Sequence, residues 1–567
     1  MGSQFDLQFH QSQLFKTQGE PMTTIEQTTN EVSTTGLSRR HFIQAAAATG
    51  VAIPLAQMVG GSSAGAASTT LRLASGKQEH VIAPWETSGG SLFALSMVGE
   101  WLTWQLPNGK LEPRIAESWT SSADAKQWVF KIRAGVKFND GTALTADDVV
   151  YTYTSIFDKT ITKGISRSKG NYDNILDAKG VVKVDANTVQ FNLLQPNGNF
   201  PYFVSSACYG MCIIKNKAFG GAGWEKTMIS AGPWKMVSHT PTEITVYEKN
   251  PYYWDSKFSP AYNKVELVQF VSAATAVPLL KTGKLDYIGA MEAADALTLD
   301  KSKFTINTLP AGAGFAHVHM RTNFGPFQDK RIREAAALTI DRPGYVSGIM
   351  KGIGGIVGND SVMDPYNTAD KSVPQRKMDI ARAKELMKEA GVPNGFKVDL
   401  STWARDDINK YAKLIKTSFA KIGIKVNLFI DGSDGGSAVY YTYDPYPSKP
   451  GKVNQFDNHS WLASNLGIVD WAGRGVPDQY LMREWRSTGD WSGAMLDSRV
   501  MDAAIDEYLQ ALTPAAKKKA SKKIQVASLD ETPYILAYTS NLITAGRKSL
   551  TGMVVNGMGQ YDARTAK

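Results

Sequence analysis

Apolar and polar positions recur with a regular period over most of this chain. In WVFKIR, Trp128, Phe130 and Ile132 alternate with Val129, Lys131 and Arg133, which predicts a strand with one apolar face. Asp140-Gly141 predicts a turn. Thr145, followed three residues later by Asp148, predicts a helix start, with the acid in the place of the Glu of a capping box. Val149, Val150, Tyr153, Ile156 and Phe157 form the helical stripe behind it. Strand patterns dominate 180–270, where VVKVDANTVQFNL reads as a hairpin about Asp185-Ala186-Asn187. Helical periodicity dominates 379–390, 407–421 and 499–512, and Thr513-Pro514 supplies an N-cap and first position for a further helix.

The N-terminal region follows another pattern. Residues 1–36 are polar and unpatterned, and Met22 is an alternative start to Met1. Arg39-Arg40 then precede a soft run, Phe42 to Val59, rich in Ala and interrupted by Pro54. This has the form of a twin-arginine export signal, with Ala64-Gly65-Ala66 as the small-residue cleavage site. A membrane span needs about 20 strongly apolar residues, and this run has Ala, Gly and Thr where Leu would be expected. A cleaved signal over residues 1–66 is the expectation, and it directs the chain to the periplasm. Such export carries folded proteins, so it also raises the question of a cofactor enzyme assembled before export.

The chain has 567 residues, 43% of them hydrophobic and 20% charged, which is a globular composition and enough for two or more domains. The net charge of +9 raises nucleic acid or an anionic membrane as partners. Its densest basic cluster, Lys517-Lys518-Lys519 with Lys522-Lys523, has no interleaved aromatic residues and reads as a solvated helix face, so no nucleic-acid partner is expected. Two cysteines in a chain this long exclude a disulfide scaffold; Cys208 and Cys212 leave one local bridge or two buried thiols open.

Traces of an enzyme are sparse. There is no phosphate-binding G-x-x-x-x-G-K-[ST], no H-E-x-x-H and no C-x-x-C, and Gly352-Ile353-Gly354-Gly355 lacks the third glycine of a dinucleotide fingerprint. Haem or iron–sulfur ligation needs more Cys or His than the chain supplies. His317 and His319 alternate, so they share one face of a strand and could meet a ligand or a metal, but no third metal ligand is visible nearby. The expectation is no catalysis, no metal and no cofactor.

LEPRIAESW (111–119), followed by the segment 128–150, closely resembles the dipeptide- and oligopeptide-binding proteins of ABC importers, the family 5 extracellular solute-binding proteins. Further stretches agree in order: AGPWKMVSH with VYEKNPYYW (231–254), LLKTGKLDY (279–287), GPFQDKRIREAAALTIDR (325–342), ARAKELMKEAGVPNGF (381–396) and LDETPYILAY (529–538). The resemblance spans essentially the whole mature chain. It implies an α/β, two-lobed periplasmic binding protein fold with an extra β-rich domain. Lobe 1 would comprise 67–107, the extra domain 108–226, then 227–315 and a return at 536–567, and lobe 2 would comprise 316–535. It also implies a monomer that closes on a small-molecule or peptide ligand and delivers it to an ABC permease with its ATPase; the export signal adds the twin-arginine translocase as a partner during export.

In the peptide binders an aspartate four residues before a proline takes the ligand ammonium. In the matching stretch, IVDWAGRGVPDQYL (468–481), that position is Gly473, followed by Arg474. A guanidinium presents a planar fork suited to carboxylate or phosphate and keeps its charge on burial. Arg474 is therefore a candidate anion anchor, or an arginine bridged to Asp470 or Asp478. Asp470 is an alternative ammonium ligand. Trp471, Trp461 and Trp403 are candidate walls of the pocket, with core packing as the other reading. On lobe 1 the loop PWETSGG brings Trp85, Glu86 and Ser88 into consideration. The expected solute is peptide-like or otherwise anionic; a metal-chelate or haem carrier of the same fold, and an exported cofactor enzyme, are the alternatives.

Overall fold

The computed structural model describes residues 69–76, 84–85, 91–162, 168–207, 211–216, 228–270, 273–431, 440 and 460–567. They belong to one compact unit, Ser62–Lys567. The export-signal region 1–66, Glu86, Ser88 and Cys208 lie outside the described residues. No helix among the described residues is long and apolar enough to cross a membrane.

The largest sheet has eleven strands: β1 (Thr70–Gly76), β2 (Trp234–Thr240), β3 (Ile244–Lys249), β4 (Lys264–Phe270), β5 (Tyr287–Ile288), β6 (Phe304–Met320), β7 (Gly355–Val357), β8 (Lys397–Trp403), β9 (Lys425–Asp431), β10 (Leu466–Trp471) and β11 (Tyr534–Arg547). Their order is β9-β8-β10-β6-β11-β5-β1-β4-β3-β2, with β7 also paired to β11. Near one end β1 lies parallel to β4 and β5; near the other β8 lies parallel to β9 and β10. The long antiparallel pair β6 and β11 joins these halves. Phe304–Leu309 pairs with Leu542–Arg547, and after a register break Gly314 pairs with Ser540. Gly314 has φ +89°, and a Cβ there would lie 1.9 Å from the Trp471 carbonyl oxygen, so only glycine lets β6 approach β10 this closely.

The two halves bury separate apolar faces. Leu71, Leu73, Val265 and Leu267 belong to one core, and Val318, Leu400, Ile415, Ile468 and Tyr538 to the other. Beside the first half lies a four-stranded antiparallel sheet, ordered Ala116–Ser121, Gln127–Ile132, Thr188–Asn192, Val181–Asp185. Trp128, Phe130 and Ile132 are buried there, as their alternation predicts. The Thr145 N–H donates to Asp148 Oδ2 at 2.7 Å at the start of helix Ala146–Ser155, and the hairpin turns about Asp185, whose Oδ1 accepts from the Asn187 N–H.

One sequence expectation fails on helix Pro514–Glu531. Lys518, Lys519, Lys522 and Lys523 are exposed, but Lys517 is buried. At 3.6 residues per turn it shares its face with the buried Ala520, Ser521 and Ile524, so the cluster wraps around the helix instead of forming one solvated face. Its ammonium lies over the Tyr508 ring, 5.1 Å from the centroid, and burial lowers its pKa to about 8 against the attraction of Asp478.

Cys212 is a fully buried free thiol, and burial pushes its pKa up to about 12. Since the thiolate is the reactive form, a Cys208→Ser variant is expected to resist iodoacetamide while folded and to take one label once unfolded. Rapid labelling of the folded variant would contradict this burial.

Candidate functional site

Strand β10 ends at Trp471 and the chain passes through Gly473-Arg474-Gly475 into a short helix, Asp478–Tyr480, and a π-helical turn, Leu481–Trp485. The glycines admit close backbone contact. The Gly475 N–H donates to the Ala207 carbonyl at 2.9 Å, its own carbonyl accepts from Gln105 Nε2 at 3.2 Å, and a Cβ on it would lie 2.4 Å from that of Ala207. This loop is therefore pressed against elements that precede β2 in the chain.

Arg474 is half-buried at the head of this loop. Its Nε donates to Gln479 Oε1 at 2.5 Å, and Nη1 reaches the Ala472 and Gly473 carbonyls at 3.2 and 3.4 Å. The guanidinium lies 5.8 Å from the Tyr480 ring centroid. The acids proposed from sequence as its structural partners have other bonds: Asp470 Oδ2 pairs with Arg405 at 2.6 Å, and Asp478 Oδ2 accepts from Asn199 at 2.8 Å. The Arg405 pair thus engages one oxygen of the Asp470 carboxylate.

Trp471 stands on a wall of aromatic rings. It stacks on Trp491 with centroids 4.8 Å apart and planes 20° apart, and meets Trp461 edge-on at 5.7 Å. Trp461 is fully buried, which makes it the floor of the cluster. Trp403 packs at the edge of the same cluster beneath the Arg405 guanidinium, 4.8 Å from its centroid. The far side of the stack carries Arg483, 3.9 Å from the Trp491 centroid.

The indole N–H of Trp471 donates to Glu484 Oε1 at 2.8 Å, and the same oxygen lies 2.6 Å from His317 Nε2. His317 and His319 do share a face of β6, but both are completely buried, not half-buried on an open strand. His319 Nε2 lies 3.1 Å from Ser464 Oγ, with Gly467 and Gly493 against its ring. Among the described residues no cluster of three His, Cys, Asp or Glu has metal-binding geometry.

Burial, reinforced by His317 and Arg321, lowers the His319 pKa from 6.5 to about 3. Between those values the unfolded chain binds a proton that the folded chain does not, so His319 takes stability away as the pH falls from 6.5 towards 3. His319→Gln is expected to narrow the gap between the urea midpoints at pH 7 and pH 4.5. An unchanged gap would show that His319 titrates normally in the fold.

Trp85 is partly buried against the larger core, and its carbonyl accepts from the Ser168 N–H at 3.1 Å, at the start of helix Lys169–Tyr172. That helix also receives the loop that follows β10: Gln479 Nε2 donates to Asn171 Oδ1 at 2.6 Å and Arg483 Nη1 to the Gly170 carbonyl at 3.2 Å. Trp85 is thus tied to the residue that precedes this helix, and Arg474, through Gln479, to Asn171 within it.

Residues 110–492, well over half the chain, match the model of the bacterial extracellular solute-binding proteins, family 5. The chain belongs to this family. It is a substrate-binding protein of the kind that serves ABC importers. Haemophilus influenzae heme-binding protein A is 26% identical over 462 residues, 75% of this chain and 78% of that one. The glutathione-binding protein GsiB of Escherichia coli K12 is 26% identical over 450 residues, 78% and 83% of the two chains. The solved Escherichia coli murein tripeptide binding protein MppA has a TM-score of 0.68 at 20% identity, over 88% of this chain and 98% of that one. The family's fold has two lobes.

For this family 5 protein, sequence reading overlooks Glu484, Gln479, Asn171 and Trp491. Gln479 lies two residues beyond the motif proline, so following the motif further would have reached it. Asn171 carries no local signal, since it joins the site through a contact across 308 residues of sequence, and Glu484 joins it through Trp471, 13 residues before it, and His317, 167 residues before it.

Proposed function

We propose that this protein captures a small anionic, peptide-like solute between its lobes, holds an acidic group of it on Arg474, and releases it to the permease of an ABC importer. The observation that carries this reading is the Arg474 guanidinium, held by a neutral amide and two carbonyls beside Trp471 and Tyr480. The motif of the peptide binders would put an ammonium-binding aspartate at Gly473. A glutathione-binding relative supports an acidic peptide, and a peptide-binding fold accommodates it.

In this reading lobe 2 spans 316–535, the β-rich domain spans 108–226, and the protein binds without catalysing a reaction. It acts as a monomer in the periplasm, exported through the twin-arginine route with residues 1–66 removed. Mass spectrometry of the solute released from native protein, with calorimetric titration of glutathione, tests the proposal. An acidic peptide is expected in the released fraction. A Soret band in the purified protein would overturn the peptide-like reading, and a neutral or cationic solute would overturn the anionic one.

A further inference from the structure

Arg474 is a long, flexible side chain, so an anchor built on it must be held in one orientation if it is to present its fork. The part that holds it is Gln479, which is 2% exposed and has just one acceptor and one donor group at its end. A guanidinium only donates, so Gln479 Oε1 must face Arg474 Nε. That choice turns Nε2 the other way, where it needs an acceptor, and Asn171 Oδ1 lies there at 2.6 Å. The two bonds therefore have one consistent direction: Arg474 to Gln479 to Asn171.

Arg474 and Gln479 lie in the region assigned to lobe 2, and Asn171, 6% exposed, in the β-rich region assigned to lobe 1. The bond to Asn171 is part of a wider seam between these regions. Asn199 Nδ2 donates to Asp478 Oδ2, the Gly198 N–H to the Leu509 carbonyl at 2.6 Å, and Arg483 to the Gly170 carbonyl. Separating the lobes removes Asn171 from Gln479. Its amide is then released to rotate among water partners, and Arg474 loses the fixed acceptor that aims it.

We propose that Gln479 is a positioning residue that couples closure of the lobes to the aim of the Arg474 guanidinium. This rests on the reading that Arg474 receives the solute's anion. The Asn171 acceptor, contributed by the opposite lobe, completes the anchor only in the closed state. By linkage, an anion that holds Arg474 in its clamped orientation favours the closed state by the same factor. Selectivity for acidic solutes would then arise from closure as well as from contact.

The test is a double-mutant cycle on the full-length mature protein in a Cys208→Ser background. Spin labels at exposed Val184 and Lys384 report the closed fraction by electron–electron distance measurements, without solute and with glutathione. Asn171→Ala is expected to lower the closed fraction and to weaken glutathione binding at least fivefold. The same substitution should have no further effect in a Gln479→Ala background, and its effect should be non-additive with Arg474→Lys. Asn171→Asp, which keeps the acceptor, should retain closure.

Additive effects of Asn171→Ala and Arg474→Lys on closure would overturn the coupling, as would a protein that stays open under both conditions. The anion reading fails separately: glutathione affinity would then be indifferent to Arg474→Ala, while the solute-free closed fraction would still respond to Gln479 and Asn171.

Discussion

Arg474→Ala is expected to weaken binding of glutathione, or of the acidic solute recovered from native protein, by roughly 30-fold or more. Truncating one partner of a hydrogen-bonded charge pair costs about 2–5 kcal/mol. Solute-free stability should change little, because Arg474 is half-buried and two of its bonds go to carbonyls one and two residues before it. Arg474→Lys should recover only part of the affinity, since an ammonium supplies charge without the two-pronged geometry of a guanidinium. Calorimetry and a thermal melt on each variant separate the two quantities. Equal affinity for the parent and Arg474→Ala would remove Arg474 from the site.

Asp360→Ala is expected to produce the largest loss of stability. Asp360 is completely buried; Arg342 Nη2 reaches its two oxygens at 2.7 and 2.6 Å, and Arg376 Nη1 reaches Oδ2 at 2.7 Å. The Leu536 N–H also donates to Oδ1 at 3.1 Å, which ties the start of β11 to the same carboxylate. Its removal would leave two guanidinium groups without their counter-ion, one of them fully buried. Breaking a buried pair in this way costs about 3–5 kcal/mol, a large share of the roughly 5–15 kcal/mol that holds a typical native protein together. Denaturant melts followed by circular dichroism should show a much lower midpoint; an unchanged midpoint would mean that the cluster contributes nothing to stability.

The contrast between these two residues shows what a local motif can point to and what it cannot. Arg474 was accessible from sequence because it occupies a recognisable place in a local motif, three residues before Pro477. Asp360 and its partners were not. Arg342 belongs to a visible I-D-R, but the acid that neutralises it lies 18 residues on, in a segment without a periodic pattern. Lys517 fails for the opposite reason: a run of lysines suggests solvent, while the helical period turns one of them inward against Tyr508. The histidines lie between these cases. Alternation puts His317 and His319 on one strand face, but their burial comes from elements packed over that face, among them the turn that carries Glu484.

Local periodicity, caps and turns depend on residues a few positions apart, and ordered motifs depend only on order along the chain. The sequence alone therefore determined the strands and helices about residues 128–157 and 180–192, the helix caps, and the family with its two-lobed architecture, and it nominated Arg474 as a candidate anchor. The tertiary structure decided which charges are already paired, which rings stack, and that Arg474 bonds Gln479, which in turn bonds Asn171. Those facts depend on side chains brought together across hundreds of residues, and burial sets their energies; neither is written in any short stretch of the chain.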